Sequence, residues 1–236
     1  MIIAAALCPA TPLLARELTG LEPVVPELRE SSLAAAAGLL AGRPDAVAVV
    51  GPAAATGSWD PRGQLDVAAF APAIAQDPAG GPALPPSLGL GARLLDQAGY
   101  AGRRLLQAVG PDEPAARCAA LGAGLAGSAA RVALLVMGDG SARRGRRAPG
   151  HLDERSAAFD AEVERAVRDG DLGALLAIDA QLARDLMATG RAPWQVLAGA
   201  VDGAAPAARI RYRDDPFGVA YLVASLDIPQ IPQPPP

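Results

Sequence analysis

Residues 2–7, Ile-Ile-Ala-Ala-Ala-Leu, run directly into Cys8-Pro9-Ala10-Thr11-Pro12-Leu13-Leu14. Six consecutive apolar residues fit a strand covered on both faces, as in a parallel sheet. Pro9 and Pro12 end that strand, because proline cannot donate to a ladder. Pro26 to Leu40 follows as a helix, with Pro26 in the first turn, Glu27 and Glu30 at its positive end, and Gly42 as a stop. Asp45 to Val50 is a second apolar strand, closed by Gly51-Pro52. This β-α-β rhythm predicts an α/β fold, with a twisted, mostly parallel central sheet and helices on both faces.

The same pattern continues downstream. Residues 53–88 are rich in Gly, Pro, Ala and Asp, and predict a long excursion with an edge hairpin around Leu65 to Phe70. Leu90 to Ala98 and Glu113 to Leu125 read as helices. Arg131 to Met137, RVALLVM, is a third buried strand, ending in Gly138-Asp139-Gly140-Ser141. Asp153 to Arg168 is an amphipathic helix with Phe159, Val163 and Val167 on one stripe. Helical stretches at Gly173 to Ala188, broken near Asp179, and at Pro193 to Val201 lead to closing strands at Arg209 to Arg213 and Gly218 to Ser225. One domain over residues 1–227 and a proline-rich tail over residues 228–236 are expected.

Composition narrows the function classes. Aromatic residues are only 3% of the 236-residue chain while 51% are hydrophobic, so the core must be built from Ala, Leu and Val. A net charge of −4 argues against a nucleic-acid partner, which wants a basic face. Every cation is an arginine. Cys8 and Cys118 have neither metal-ligand spacing nor the pattern of a disulfide framework, and are expected to be reduced, buried thiols. The first apolar run is short and follows no Lys or Arg, unlike a signal peptide, and no segment reaches the ~20 apolar residues of a membrane span. A cytoplasmic protein with a small-molecule ligand, and a homodimer by default, is the expectation.

Few residues could carry chemistry. His151 is the single histidine. Asp153 and Glu154 lie too near it in sequence to encircle a metal with it, so no metal site is expected. Ser141 follows a strand, but G-D-G-S-A is not the G-x-S-x-G elbow. Residues 122–127, GAGLAG, match G-x-G-x-x-G, yet end a helix rather than open one, and read as helix termination. A Walker lysine is ruled out in a chain without lysine. Arg143, Arg144, Arg146 and Arg147 form a positive patch that could capture an anion at the carboxyl ends of the strands.

Taken in order, C-P-x-x-P-L-L after the first strand, a G-P turn after the second, G-D-x-S after the third, D-E-x-x-x-x-F-D opening a long helix, and A-P-W-x-V-L-A-G-A near the C-terminus resemble the catalytic subunits of class III extradiol ring-cleavage dioxygenases, of the protocatechuate 4,5-dioxygenase β-subunit (LigB) type. The resemblance covers Ile2 to Tyr221. It implies a twisted α/β sheet and, in active members, a non-haem Fe(II) held by two histidines and a glutamate, with a further histidine as acid/base. Here the matching positions read Ala10, Ala53 and Ala142, and Thr189-Gly190-Arg191-Ala192 holds no acid where the glutamate is implied. A methyl group has no lone pair and can neither ligate iron nor move a proton. The resemblance therefore implies a metal-free relative without ring-cleavage activity and without cofactor, keeping a cleft for a small ligand that the arginines would suit to an anion. Pocket candidates are Cys8, Pro9, Ala10, Ala53, Asp139, Ser141, Ala142 and Arg143. Asp139, Ser141 and His151 are the candidates for chemistry if a rearranged enzyme survives. A non-catalytic subunit docking through its alanine-rich helices or its tail is the third expectation.

Overall fold

The computed structural model describes residues 1–19, 24–67, 70, 82–201 and 205–229. Four strands form a parallel centre: β1 (Ile2–Cys8), β2 (Ala46–Pro52), β6 (Arg103–Val109) and β7 (Val132–Met137). Three short or late strands extend it antiparallel: β3 (Gly57–Trp59) on β6, β9 (Tyr221–Asp227) on β1, and β8 (Ala207–Asp214) on β9. The seven-stranded order is β3-β6-β2-β7-β1-β9-β8. The expected α/β architecture is thus present, with its two outer margins antiparallel.

Strand alternation divides the core into two layers. On one face Ala5, Leu7, Val50, Leu134 and Val136 pack with Phe159, Val163, Trp194 and Leu197. These come from α5 (Arg155–Asp169) and α8 (Arg191–Ala200), flanked by α4 (Ala115–Ala126), α6 (Leu172–Leu176) and α7 (Ala180–Asp185). On the other face Ala6, Val47, Val49, Leu135 and Met137 pack with Leu28, Leu39, Leu88 and Leu95, carried by or abutting α2 (Pro26–Gly38) and α3 (Pro86–Gln97). A one-turn helix, α1 (Arg16–Thr19), lies between β1 and α2. Each fully buried leucine contributes about 1.5–3 kcal/mol relative to exposure, so leucine and valine supply the stabilisation that a nearly aromatic-free chain cannot draw from rings.

Helix starts follow local chemistry. The Asp171 side chain accepts from the Ala174 N–H at 2.9 Å and Asp179 from the Leu182 N–H at 2.6 Å, capping α6 and α7. Asp179 is therefore the cause of the expected break. Gly170, at φ 66°, ends α5 in the left-handed conformation that favours glycine.

Three expectations change. Strand β6 is a central member of the sheet that the pattern did not announce. The expected hairpin at Leu65 to Phe70 includes residues outside the described set; Gln64–Leu65 (β4) instead pairs parallel with Ala83–Leu84 (β5) in a separate two-stranded sheet, and the edge strand beside β6 is β3. Of the GAGLAG run, only Gly127 terminates α4. Gly122 lies inside the helix, where a Cβ would stand 2.5 Å from the Ala200 nitrogen of α8. The proline-rich tail falls outside the described residues from 230 onward.

Candidate functional site

The parallel strands all end at one edge of the sheet, where open α/β proteins bind ligands. A cavity of about 610 Å³ lies there. Its near wall comes from the strand ends: Ala10 after β1, Pro52, Ala53 and Ala54 around the end of β2, and Asp139 after β7. Its far wall is α7 and the start of α8, including Ala183, Met187, Ala188 and Ala192. The surface is mostly methyl, methylene and proline ring.

The turn at residues 8–14 has a structural job at this edge. The Gly138 N–H donates to the Cys8 carbonyl at 2.9 Å, the Thr11 hydroxyl donates to the Tyr221 hydroxyl at 3.2 Å, and Arg29 donates to the Leu13 carbonyl at 3.0 Å. Pro12 opens a short 3-10 turn at Pro12–Leu14. These ties fix the Ala10 backbone so that its N–H donates to Asp139 Oδ1 at 2.9 Å.

Among the described residues, Asp139 is the one carboxyl group of the cavity wall. Its backbone is locked on both sides: its N–H donates to Thr189 Oγ1 at 3.1 Å, and its carbonyl accepts from the Gly190 N–H at 2.8 Å. A Cβ on Gly138 would stand 2.5 Å from Gly190 Cα, so glycine at 138 permits this close approach of strand end and helix start. Burial pushes the Asp139 carboxyl up from 3.8 to about 7, against a smaller lowering by the Ala10 N–H. Among the described residues no basic side chain pairs with it. The Arg191 guanidinium donates to the Pro111 and Glu113 carbonyls and to Gln195 Oε1. Arg184 donates to Asp112 Oδ1 at 3.0 Å and to Gln181 Oε1 at 2.6 Å. Both guanidiniums line the cavity, but their hydrogen bonds go to protein oxygens.

Of the eight pocket candidates, Ala10, Ala53 and Asp139 line this cavity, and Cys8, Pro9, Ser141, Ala142 and Arg143 do not. Cys8 is fully buried on the α2 side, with its thiol directed to the Ser32 carbonyl and pushed up to about 12 by burial; it is a packing residue. Ser141 is fully buried and faces α5. Its N–H donates to Asp160 Oδ1 at 2.8 Å and its hydroxyl to Asp160 Oδ2 at 2.5 Å. That bond consumes the hydroxyl in pinning the β7 loop to α5, which accounts for the F-D pair at Phe159-Asp160. Ala142 is buried by backbone bonds to Leu186 and Gly150. His151 is exposed, at φ 57°, outside the cavity wall.

The four arginines of the expected patch have different surroundings. Arg144 pairs with Asp215 at 2.8 Å and Asp160 at 3.7 Å, and Arg146 and Arg147 are exposed. Arg143 is half-buried, with its carbonyl accepting from the Asp153 N–H and the Ser156 hydroxyl and its Nε buried without a hydrogen-bond partner among the described residues. A smaller cavity of about 320 Å³ beside Arg144 is lined by Asp160, Glu164, Arg213 and Asp215, with the arginines already ion-paired.

The donor set does not fit an iron centre. Ala10 and Ala53 present methyl groups, and among the described residues no three His, Cys, Asp or Glu side chains gather in a metal-holding group. Of the far wall, only Thr189, Arg191 and Ala192 belong to a stretch that the resemblance places at the site; Ala180, Ala183, Arg184, Met187 and Ala188 were not among the expected site residues. Residues 180–192 reach this edge only because the Asp179 break turns the chain back across it, which no local pattern encodes.

Fold and site together define an α/β protein with a mixed sheet and an apolar cavity at the strands' carboxyl edge. Among solved structures, the chain is similar to the crystal structure of the uncharacterized protein JW3007 from Escherichia coli K12, with a TM-score of 0.59 and 17% identity, over 95% of this chain and 99% of that one. At that identity the likeness is one of fold. No protein-family profile matches the chain, and no curated protein matches it. Among the described residues no helix is long and apolar enough to cross a membrane.

Proposed function

We propose that this chain is a metal-free relative of the extradiol ring-cleavage dioxygenases that binds a small, largely apolar ligand at the carboxyl edge of its sheet. One observation carries the reading: three of the four places where the resemblance implies iron chemistry border a single cavity. Ala10 and Ala53 stand in its wall, and so do Thr189, Arg191 and Ala192 from the stretch matched to the glutamate. Ala142, matched to the acid/base histidine, is buried beside that wall's helices instead. A ligand cavity without metal donors is what loss of the side chains, with retention of the backbone, would leave. The apolar wall and its single carboxyl favour a ligand with a hydrocarbon body over the anion that the arginine-rich loop suggested.

The test is anaerobic incubation of purified protein with Fe(II), followed by desalting, metal analysis and oxygen uptake with catechol and protocatechuate. The expected result is sub-stoichiometric iron and no ring opening. One iron per chain with turnover would overturn the metal-free reading.

A further inference from the structure

We propose that the cavity takes an apolar amine, whose ammonium group pairs with the free oxygen of Asp139 while its hydrocarbon body fills the alanine-lined space. This rests on the cavity being a ligand site. Three features of the wall point to a cation. Asp139 has one oxygen occupied by the Ala10 N–H, and among the described residues no basic side chain hydrogen-bonds or ion-pairs with it. The two guanidiniums of the same wall hydrogen-bond to Pro111, Glu113, Gln195, Asp112 and Gln181. The rest of the lining is almost wholly hydrocarbon. A carboxylate in such surroundings is costly until it meets an opposite charge. A ligand ammonium supplies that charge; a ligand carboxylate would meet like charge at the same point.

The groups facing Asp139 leave it in control of the pH response. Tyr221 of β9, held by the Thr11 hydroxyl, is raised above its ordinary value by burial and stays neutral. The Cys8 thiol at the end of β1 is likewise neutral. Thr189 and Ser87 do not titrate, and the guanidiniums of Arg184 and Arg191 hydrogen-bond to protein oxygens rather than to Asp139. Asp139 free of ligand is mostly protonated below its value of about 7. Pairing with an ammonium requires the carboxylate, so binding must expel a proton in mildly acidic solution and none once Asp139 is already ionised.

The experiment is isothermal titration of the full chain with phenethylamine, phenethyl alcohol and phenylacetate, in two buffers of different ionisation enthalpy. Phenethylamine is expected to bind about tenfold or more tighter than the alcohol, the worth of one charged hydrogen bond. Phenylacetate is expected to bind weakest. Proton release should approach one per site near pH 6 and vanish near about pH 8.5. Asp139→Asn should abolish the preference for the amine over the alcohol and the proton release that accompanies amine binding. If that variant does not fold, proton release by the wild-type chain still decides. Alcohol binding equal to amine binding, or amine binding without proton release near pH 6, overturns the amine assignment and leaves the ligand cavity standing. No binding by any of the three probes overturns both.

Discussion

Asp139 holds the largest electrostatic tension at the cavity. Its carboxyl rises from 3.8 to about 7 because burial penalises the charged form. A raised acid binds its proton more tightly in the folded chain than in the unfolded one. Its stabilising contribution is therefore complete below about pH 4 and is lost as pH climbs through about 7. Asp160, raised chiefly by its own burial, acts in the same direction. The salt-bridged acids Asp60 and Asp153 are lowered, to about 2, and act only in stronger acid. We expect wild-type stability, from urea midpoints, to increase between about pH 8 and pH 5. Asp139→Asn should flatten that slope and stabilise the chain near pH 8 by about 1–3 kcal/mol. An unchanged slope in the variant would show that Asp139 is solvated and unstrained.

Among the elements, α4 and α8 cross backbone to backbone. A Cβ on Gly122 would stand 2.5 Å from the Ala200 nitrogen, and one on Gly199 would stand still closer to the Ala119 Cα, a main-chain atom. Neither neighbour can swing aside as a side chain would. Two positions further along α4, Gly124 faces open space, with nothing within 4 Å of its virtual Cβ. The two glycines look alike in GAGLAG, and the structure gives them opposite signs. Gly122→Ala should destabilise by about 3 kcal/mol, the upper end for overpacking. Gly124→Ala should stabilise by about 0.5–1 kcal/mol through helix propensity. Urea denaturation of both variants checks this, and equal effects would mean that α4 and α8 are further apart. Elements were legible where apolar residues ran unbroken, as in Ile2 to Leu7 and Arg131 to Met137. Strand β6 escaped because RRLLQAV opens on two arginines and carries Gln107, whose side chain accepts from Ser58 on the edge strand at 3.1 Å. Its amide also donates to the Ala108 carbonyl at 2.8 Å, so both ends of the side chain are satisfied, and the β3 partner is not part of its local sequence.

At the scale of the whole molecule, the near wall of the cavity was readable and the far wall was not. Ala10 and Ala53 follow strands, so their place at the carboxyl edge comes directly from the β-α-β rhythm. Ala183, Met187 and Ala188 arrive from a distant segment, through packing that no spacing rule predicts. Ser141 and His151 were attractive for their chemistry alone; the fold spends the first on α5 and leaves the second in solvent. If the backbone of an iron cage has persisted around missing side chains, then restoring donors should restore metal affinity. Ala10, Ala53 and Asp139 border the same cavity, and Asp139 supplies a carboxylate. The double variant Ala10→His, Ala53→His would offer two imidazoles and that carboxylate, a donor set suited to divalent iron, cobalt or zinc. We expect it to bind one Co(II) per chain near pH 7.5, at about micromolar affinity, where the wild-type chain binds none. Adding Asp139→Ala should weaken that binding about tenfold or more, since one of three donors is lost. Optical titration with Co(II) reads both steps. A folded double variant that leaves Co(II) in solution would show that positions 10 and 53 do not converge on a common point, and the descent from a metal cage would lose its physical basis.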